Sequence, residues 1–524
     1  MRVDRHDIPE KSVDAALAAV PEELGRQTRL AQYGGAFSVE MLADMLLDYA
    51  AARTAGLDPR LESRDTWLAI TSAAALHRDY ALAVNRPEGA EVRAFVDYLG
   101  VGFGFEQESR GTLAPSEWIR SWHLALLVGN DGLLGPLSEL AHLFEDDPYV
   151  QALVAHWASE PVELEPSSPE GEMLRAIVGR DAAAFNAALV TALERHRERA
   201  GRNPRDLIAW GPLALAALAH DAGLPIEVES GYLPERLYTR AGPARPGADG
   251  PVARPDFDTA RAAKWLEDDG QRTERKKEFA FNPDVLLHYR FAAMKRLADD
   301  LLLALSFRAV IDPRAEQPVW RDSLVLASEA TASAFRLASV PQGTAITVPL
   351  AGRAEELPAC GPVSDASDWV YARAAALMWI VRSSADSAVL AAFDVDDLHR
   401  TLPDTNAYAR ACHAVLRGED PRPHLRDVLA APPDDPHGEC LRHPRVRLLD
   451  RIAEDDADGF NTVLAEALGL YRDYYSAGDN IGDPDGQLHL DALGLACLAH
   501  DRGIPVRVES DYLPRTLVEG LSPR

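Results

Sequence analysis

Residues 219–234 read AHDAGLPIEVESGYLP and residues 499–514 read AHDRGIPVRVESDYLP, with 11 identities in 16 positions. Chance alignment of two such segments gives about one, so the chain carries one module twice. The repeat extends upstream. Phe185-Asn186, Leu189, Ala192 and Leu193 recur as Phe460-Asn461, Leu464, Ala467 and Leu468, with a separation five residues shorter than that of the His-Asp pairs. The added length is assigned to the Gly- and Asp-rich stretch 476–486, because loops accept insertions that packed elements do not. Farther back, Leu42-Ala43-Asp44 pairs with Leu297-Ala298-Asp299, Trp67 with Trp320, and Ser116-Glu117-Trp118 with Ser367-Asp368-Trp369, in the same order.

A chain of 524 residues exceeds what one hydrophobic core supports. The Pro- and Gly-dense stretch GPARPGADGPVARPD at 242–256 falls between the copies and is the expected linker, separating modules 1–241 and 257–524. Val39, Leu42, Met45, Leu46 and Tyr49 follow helical spacing, as do Phe185, Leu189 and Leu193 with their copies. Residues 212–219 are apolar all round and predict a buried helix, stopped at Gly223 and, in the second copy, at Gly503. Ile226 and Val228 alternate with Glu227 and Glu229 and predict a short strand. The expected fold is mostly α: two tandem helical-bundle or solenoid-like modules with a few short β-strands.

The composition, 47% hydrophobic and 26% charged, is that of a folded globular protein. A net charge of -28 repels phosphate backbones and anionic lipid, which argues against a direct nucleic-acid ligand. It suits a basic protein partner, and acidic clusters such as Glu145-Asp146-Asp147 and Asp394-Val395-Asp396-Asp397 are candidates to meet one; the same charge also serves solubility. The first residues have no apolar signal-peptide core and no apolar stretch reaches membrane-spanning length, so a cytoplasmic protein is expected. Four cysteines without CxxC spacing fit reduced thiols.

Two features together resemble the immunity protein 49 family of bacterial polymorphic toxin systems. One is the apolar helix running into AHDRG-I-P and VESDYLP; the other is AITVPLAGRAEELPACGPVSDASDW at 345–369, where a β-like VPL precedes a GP-containing loop and a tryptophan helix. The resemblance covers the second copy over about 322–517. The first copy's counterpart at 92–118 keeps Ser116 and Trp118 but lacks the GP loop. The resemblance implies an all-α antitoxin, encoded beside a secreted toxin, that binds the cognate toxin domain and neutralises it by stoichiometric occlusion. It implies a binding protein and not an enzyme, with no catalytic residue, cofactor or metal; a basic nuclease is one toxin such an acidic protein would suit. The competing classes are a scaffold protein without a toxin partner and a helical hydrolase.

The most retained polar residues are Glu229, Ser230 and Tyr232 in the first copy and Glu509, Ser510 and Tyr512, with Asp511 between, in the second. They either cap the following turn and satisfy backbone donors or form part of a partner-binding surface. Trp118 and Trp369 are either core residues or interface anchors. The pairs His220-Asp221 and His500-Asp501 invite a general-base reading. However, adjacent helical side chains point about 100° apart, and a histidine in the last turn complements the helix dipole. His437, Cys440 and His443, with Asp434 and Asp435, have metal-like spacing in a Pro-rich loop but no second Cys or His pair. Asp479, Asp483 and Asp485 crowd one loop without the EF-hand order, and the basic run 272–277 reads as a solvated helical face.

Overall fold

The helical spacing of both copies is realised in the computed structural model, which describes residues 1–107, 111–247, 250–282, 284–433 and 435–520. The chain divides into two units, Met1–Ala244 with Ala477–Asp479, and Arg245–Ser476 with Asn480–Arg524. In the first, α1 (Glu10–Ala19) and α2 (Gly25–Leu30) lead to a packed pair, α3 (Gly35–Arg53) and α4 (Arg64–Val84), then to the antiparallel hairpin β1 (Glu91–Val96) and β2 (Val101–Glu106). There follow α5 (Pro115–Val128), α6 (Asp131–Glu139), α7 (Pro148–Trp157), α8 (Pro169–Val178), α9 (Ala182–Arg199), α10 (Trp210–Asp221) and α11 (Glu235–Tyr238).

The second unit opens with α12 (Thr259–Leu266) and α13 (Asp269–Phe281) and then repeats that order. It has the pair α14 (Arg290–Ile311) and α15 (Val319–Ala338), the antiparallel hairpin β3 (Ala345–Leu350) and β4 (Arg353–Pro358), then α16 (Asp368–Val381), α17 (Ser384–Ala392) and α18 (Pro403–Leu416). An added helix, α19 (Arg422–Ala430), precedes α20 (His443–Ala453), α21 (Ala457–Tyr474), α22 (Leu490–Asp501) and α23 (Arg515–Val518). The protein is thus mostly helical, in two tandem modules.

Local chemistry explains the shared elements. Asp181 and Asp456 accept hydrogen bonds from the backbone N–H groups of Ala184 and Gly459 and so start α9 and α21. The apolar helices α10 and α22 bury residues on every face, including Leu213 and Leu215 in one and Leu493 and Leu495 in the other. Each such leucine stabilises its unit by roughly 1.5–3 kcal/mol. Gly223 (φ 75°) and Gly503 (φ 84°) end these helices in the left-handed region. Their N–H groups return to the carbonyls of His220 and His500, and the next residues, Leu224 and Ile504, return to Ala219 and Ala499.

The segment after each glycine departs from expectation. Residues 226–228 and 506–508 form no strand, and the bridges nearby among the described residues are isolated ones, Arg2 to Glu229 and Val252 to Ser510. A side chain takes the place of a ladder. Asn186 Nδ2 donates to the carbonyls of Ala182 (2.8 Å) and Pro225 (2.9 Å), while its Oδ1 accepts from Glu227 N–H (2.8 Å). Asn461 repeats all three bonds with Ala457, Pro505 and Arg507.

Two sequence pairings also shift. α5 and α16 begin after Ala114 and Ser367 and end at the left-handed Gly129 and Arg382, which aligns Trp118 with Tyr371 rather than with Trp369. Both aligned side chains are fully buried. Trp118 Nε1 donates to Leu137 O and the Tyr371 hydroxyl to Leu390 O, each at 2.8 Å. Trp369 is instead 44% exposed.

Candidate functional site

The retained Glu-Ser-x-Tyr residues sit where the start and end of each unit meet. Tyr232 N–H donates to Ser230 Oγ and Tyr512 N–H to Ser510 Oγ, both at 3.2 Å, closing the turn before α11 and α23. Both tyrosine rings are fully buried. The Tyr232 hydroxyl accepts from His6 N–H (2.9 Å), and the Tyr512 hydroxyl donates to Gly486 O (2.9 Å). Glu229 and Glu509 use their backbones: their carbonyls accept from Val3 N–H and Val252 N–H, each at 3.0 Å. Ser510 also donates to Val252 O at 2.6 Å.

An arginine two residues beyond each valine completes the junction. Arg5 donates to Thr54 at the end of α3, and Arg254 donates to Ala309 O in the last turn of α14 and to Asp511 O. The stretch 242–256, of which 248 and 249 lie outside the described residues, therefore contributes Val252 and Arg254 to the second unit.

The carboxylates of Glu229, Glu509 and Asp511 are exposed. In the second unit Glu509, Ser510 and Asp511 line a shallow depression of about 1040 Å³ with His500, Arg507 and Arg515. Around this retained frame the exposed positions reverse charge between copies: Glu227 stands where Arg507 does, and Glu235 where Arg515 does. The serines, the tyrosines and the glutamate backbones hold the chain together, while the glutamate carboxylates and the charge-reversed positions face outward.

The His-Asp pairs come closer than helical geometry predicts, because their exposed side chains turn toward each other at the helix end. His500 Nδ1 lies 3.3 Å from Asp501 Oδ1, and His220 Nδ1 3.8 Å from Asp221 Oδ1. Each aspartate is nonetheless held by an arginine. Asp221 pairs with Arg240, which also donates to Leu126 O at the end of α5. Asp501 pairs with Arg382 at 2.9 Å, which also donates to Leu517 O and Val518 O on α23. The tie is made from opposite ends in the two units: Arg240 approaches Gly129, at the position of Arg382, whereas Gly520 occupies the position of Arg240.

The metal-like run is helical rather than a loop: a wide turn, Gly438–Arg442, leads into α20. His437 Nδ1 lies 2.8 Å from Arg442 Nη1, Cys440 is buried, and His443 Nε2 lies 3.3 Å from Val428 O. Asp434 lies outside the described residues, and among those described no group of three or more His, Cys, Asp or Glu is arranged to hold a metal ion. Asp483 accepts from Asp485 N–H at 2.9 Å and starts a short turn. The basic run lies on α13, where Arg272 stacks on Trp265 (3.7 Å) and Lys276 pairs with Asp300 (2.9 Å).

Sequence reading had not found a pocket of about 200 Å³ in the second unit, lined by Trp369, Arg373, Arg445, Tyr471, Tyr475 and Asp485 among others. Its residues come from five helices, α14, α16, α20, α21 and α22, and from the turns before α20 and α22, a convergence that no local pattern signals. At its base His489 stacks on Tyr471 (3.9 Å between ring centres), and burial lowers its pKa to about 4.

The family model for immunity protein 49 matches this chain over residues 138–237 and 312–517. The first stretch runs from the end of α6 through most of α11, and the second from α15 into α23. Among curated proteins and among solved structures nothing matches.

Proposed function

Because the chain belongs to the immunity protein 49 family, we propose that it binds a cognate toxin domain and neutralises it by stoichiometric occlusion in the cytoplasm of the producing cell. The match of the family model to both copies carries this reading. The net charge of -28 supports a basic partner such as a nuclease domain, whose phosphate-binding face an acidic protein can cover. Acidic side chains steer association, while buried aromatic and apolar anchors supply most of the affinity. No helix among the described residues is long and apolar enough to cross a membrane.

Co-expression with the toxin domain encoded beside the gene is expected to restore growth, and the purified pair to form a complex of fixed stoichiometry. Its association rate should fall by about tenfold or more from low to high salt, with little change in dissociation. An association rate indifferent to salt would refute the electrostatic part alone. Absence of both complex and protection would refute the function.

A further inference from the structure

The pocket of the second unit has an unequal charge inventory. Arg373 donates to Asp299 (2.8 Å), Arg442 to Asp404 and Asp435 (2.7 Å each), and Arg445 to Asp491 (3.0 Å). Each guanidinium therefore has its carboxylate. Asp485 is left over: its carbonyl accepts from the Tyr471 hydroxyl (2.6 Å), but its carboxylate receives no hydrogen bond among the described residues. Asp485 stands exposed to solvent at the rim, where shielding by the pocket walls and nearby Asp483 still raise its pKa against the lowering effect of Arg373. The walls are aromatic: Trp369 is 44% exposed with the Arg373 guanidinium 5.2 Å from its ring centre, and the rings of Tyr471 and Tyr475 are 4.8 Å apart. At the base His489, 5% exposed, has an Nε2 without a partner among the described residues. This is a polar cavity and not sealed core.

The first unit shows what fits. Its short turn Pro204–Leu207 corresponds to Pro484–Gln487 of the second, which places Arg205 at the position of Asp485. Arg205 reaches α3, donating to both carboxylate oxygens of Asp48 (2.9 Å each) and pairing with Asp44, the counterpart of Asp299. The first unit thus carries its own cation where the second has a further carboxylate. Ser116, Ala209 and Gly211 stand there in place of Trp369, His489 and Asp491, so the open aromatic pocket belongs to the second unit.

We propose that this pocket receives an arginine or lysine side chain of the toxin domain, placed against Trp369 and Tyr475 and paired with Asp485. The proposal rests on the immunity reading. A cation gains the carboxylate that no guanidinium hydrogen-bonds, together with contact to Tyr475 and to the exposed part of Trp369 that Arg373 leaves uncovered. An anion would meet Asp485 as a like charge, and an apolar group would bury that carboxylate without a partner.

The test uses the full chain and ligand-observed NMR with acetyl-Gly-Arg-Gly-amide, compared with the citrulline peptide of the same shape and no charge. The arginine peptide should bind at least about fivefold more tightly, and Asp485→Asn or Trp369→Ala should remove that advantage. Asp485→Arg copies the first unit; it should abolish peptide binding while the protein stays folded. Equal binding of the two peptides, or an advantage that survives Asp485→Asn, overturns the proposal. With the neighbouring toxin domain, Asp485→Asn should weaken the complex at least about tenfold. A wild-type complex indifferent to both Asp485 variants overturns the pocket and leaves the immunity reading standing. If the wild type forms no complex, the immunity reading falls and the peptide comparison still decides the pocket.

Discussion

Asn186 and Asn461 show what a single retained residue contributes. Besides donating to a first-turn carbonyl of its own helix, each satisfies one carbonyl and one N–H of the segment after the glycine, which has no strand partner among the described residues. An alanine at 461 leaves those backbone groups, which are partly shielded from water, without bonds. Asn461→Ala is therefore expected to cost the second unit about 1–3 kcal/mol, read from the denaturant midpoint. Asn461→Asp should also destabilise, since a carboxylate keeps the acceptor but cannot donate. If both variants melt like the wild type, solvent replaces the clamp. The recurrence of Phe-Asn was visible in the sequence, but its partners were not, because they lie 39 and 44 residues away at Pro225 and Pro505.

At the scale of elements, the arginine that ties the helix ends has moved between copies while the tie has stayed. Arg382 sits at φ 57°, a left-handed position that favours glycine, and donates to the last carbonyls of α23. The ion pair with Asp501 is partly exposed and adds little, so the carbonyl bonds carry most of the effect. Arg382→Ala should destabilise the second unit by about 1–2 kcal/mol, and Arg382→Gly by roughly 0.5–1 kcal/mol less, because glycine relieves the backbone. Thermal unfolding of both variants checks the order; alanine milder than glycine would show that backbone strain is not the deciding term. The same helix ends account for the misaligned tryptophans. Caps and left-handed residues set the register of α5 against α16, and an apolar pattern read without them slips by two positions.

For the whole molecule, each unit is closed by a short N-terminal segment lying against the Glu-Ser-x-Tyr turn. In the second unit that segment is Val252 to Arg254, inside the Pro- and Gly-rich stretch. A fragment of residues 245–524 should melt cooperatively. One starting at 257 should melt about 5–10 °C lower, because it loses a buried valine and the hydrogen bonds of Val252 and Arg254. Equal midpoints by calorimetry would mean that the segment is not part of the folded unit.

The sequence by itself determined that the module occurs twice, that it is mostly helical, where its buried helix and glycine stop lie, and which family it belongs to. All of these depend on local periodicity, capping chemistry or direct identity between segments. Only the tertiary structure decided that Glu229 and Glu509 act through their backbones, that Trp369 is open while Tyr371 is buried, and that Asp485 stands unmatched where Arg205 is paired. The reason is that a side chain's partner in a helical module is set by how helices pack and where their ends are capped. Residues as far apart in sequence as Trp369 and Asp485 come to share one pocket only after that packing exists.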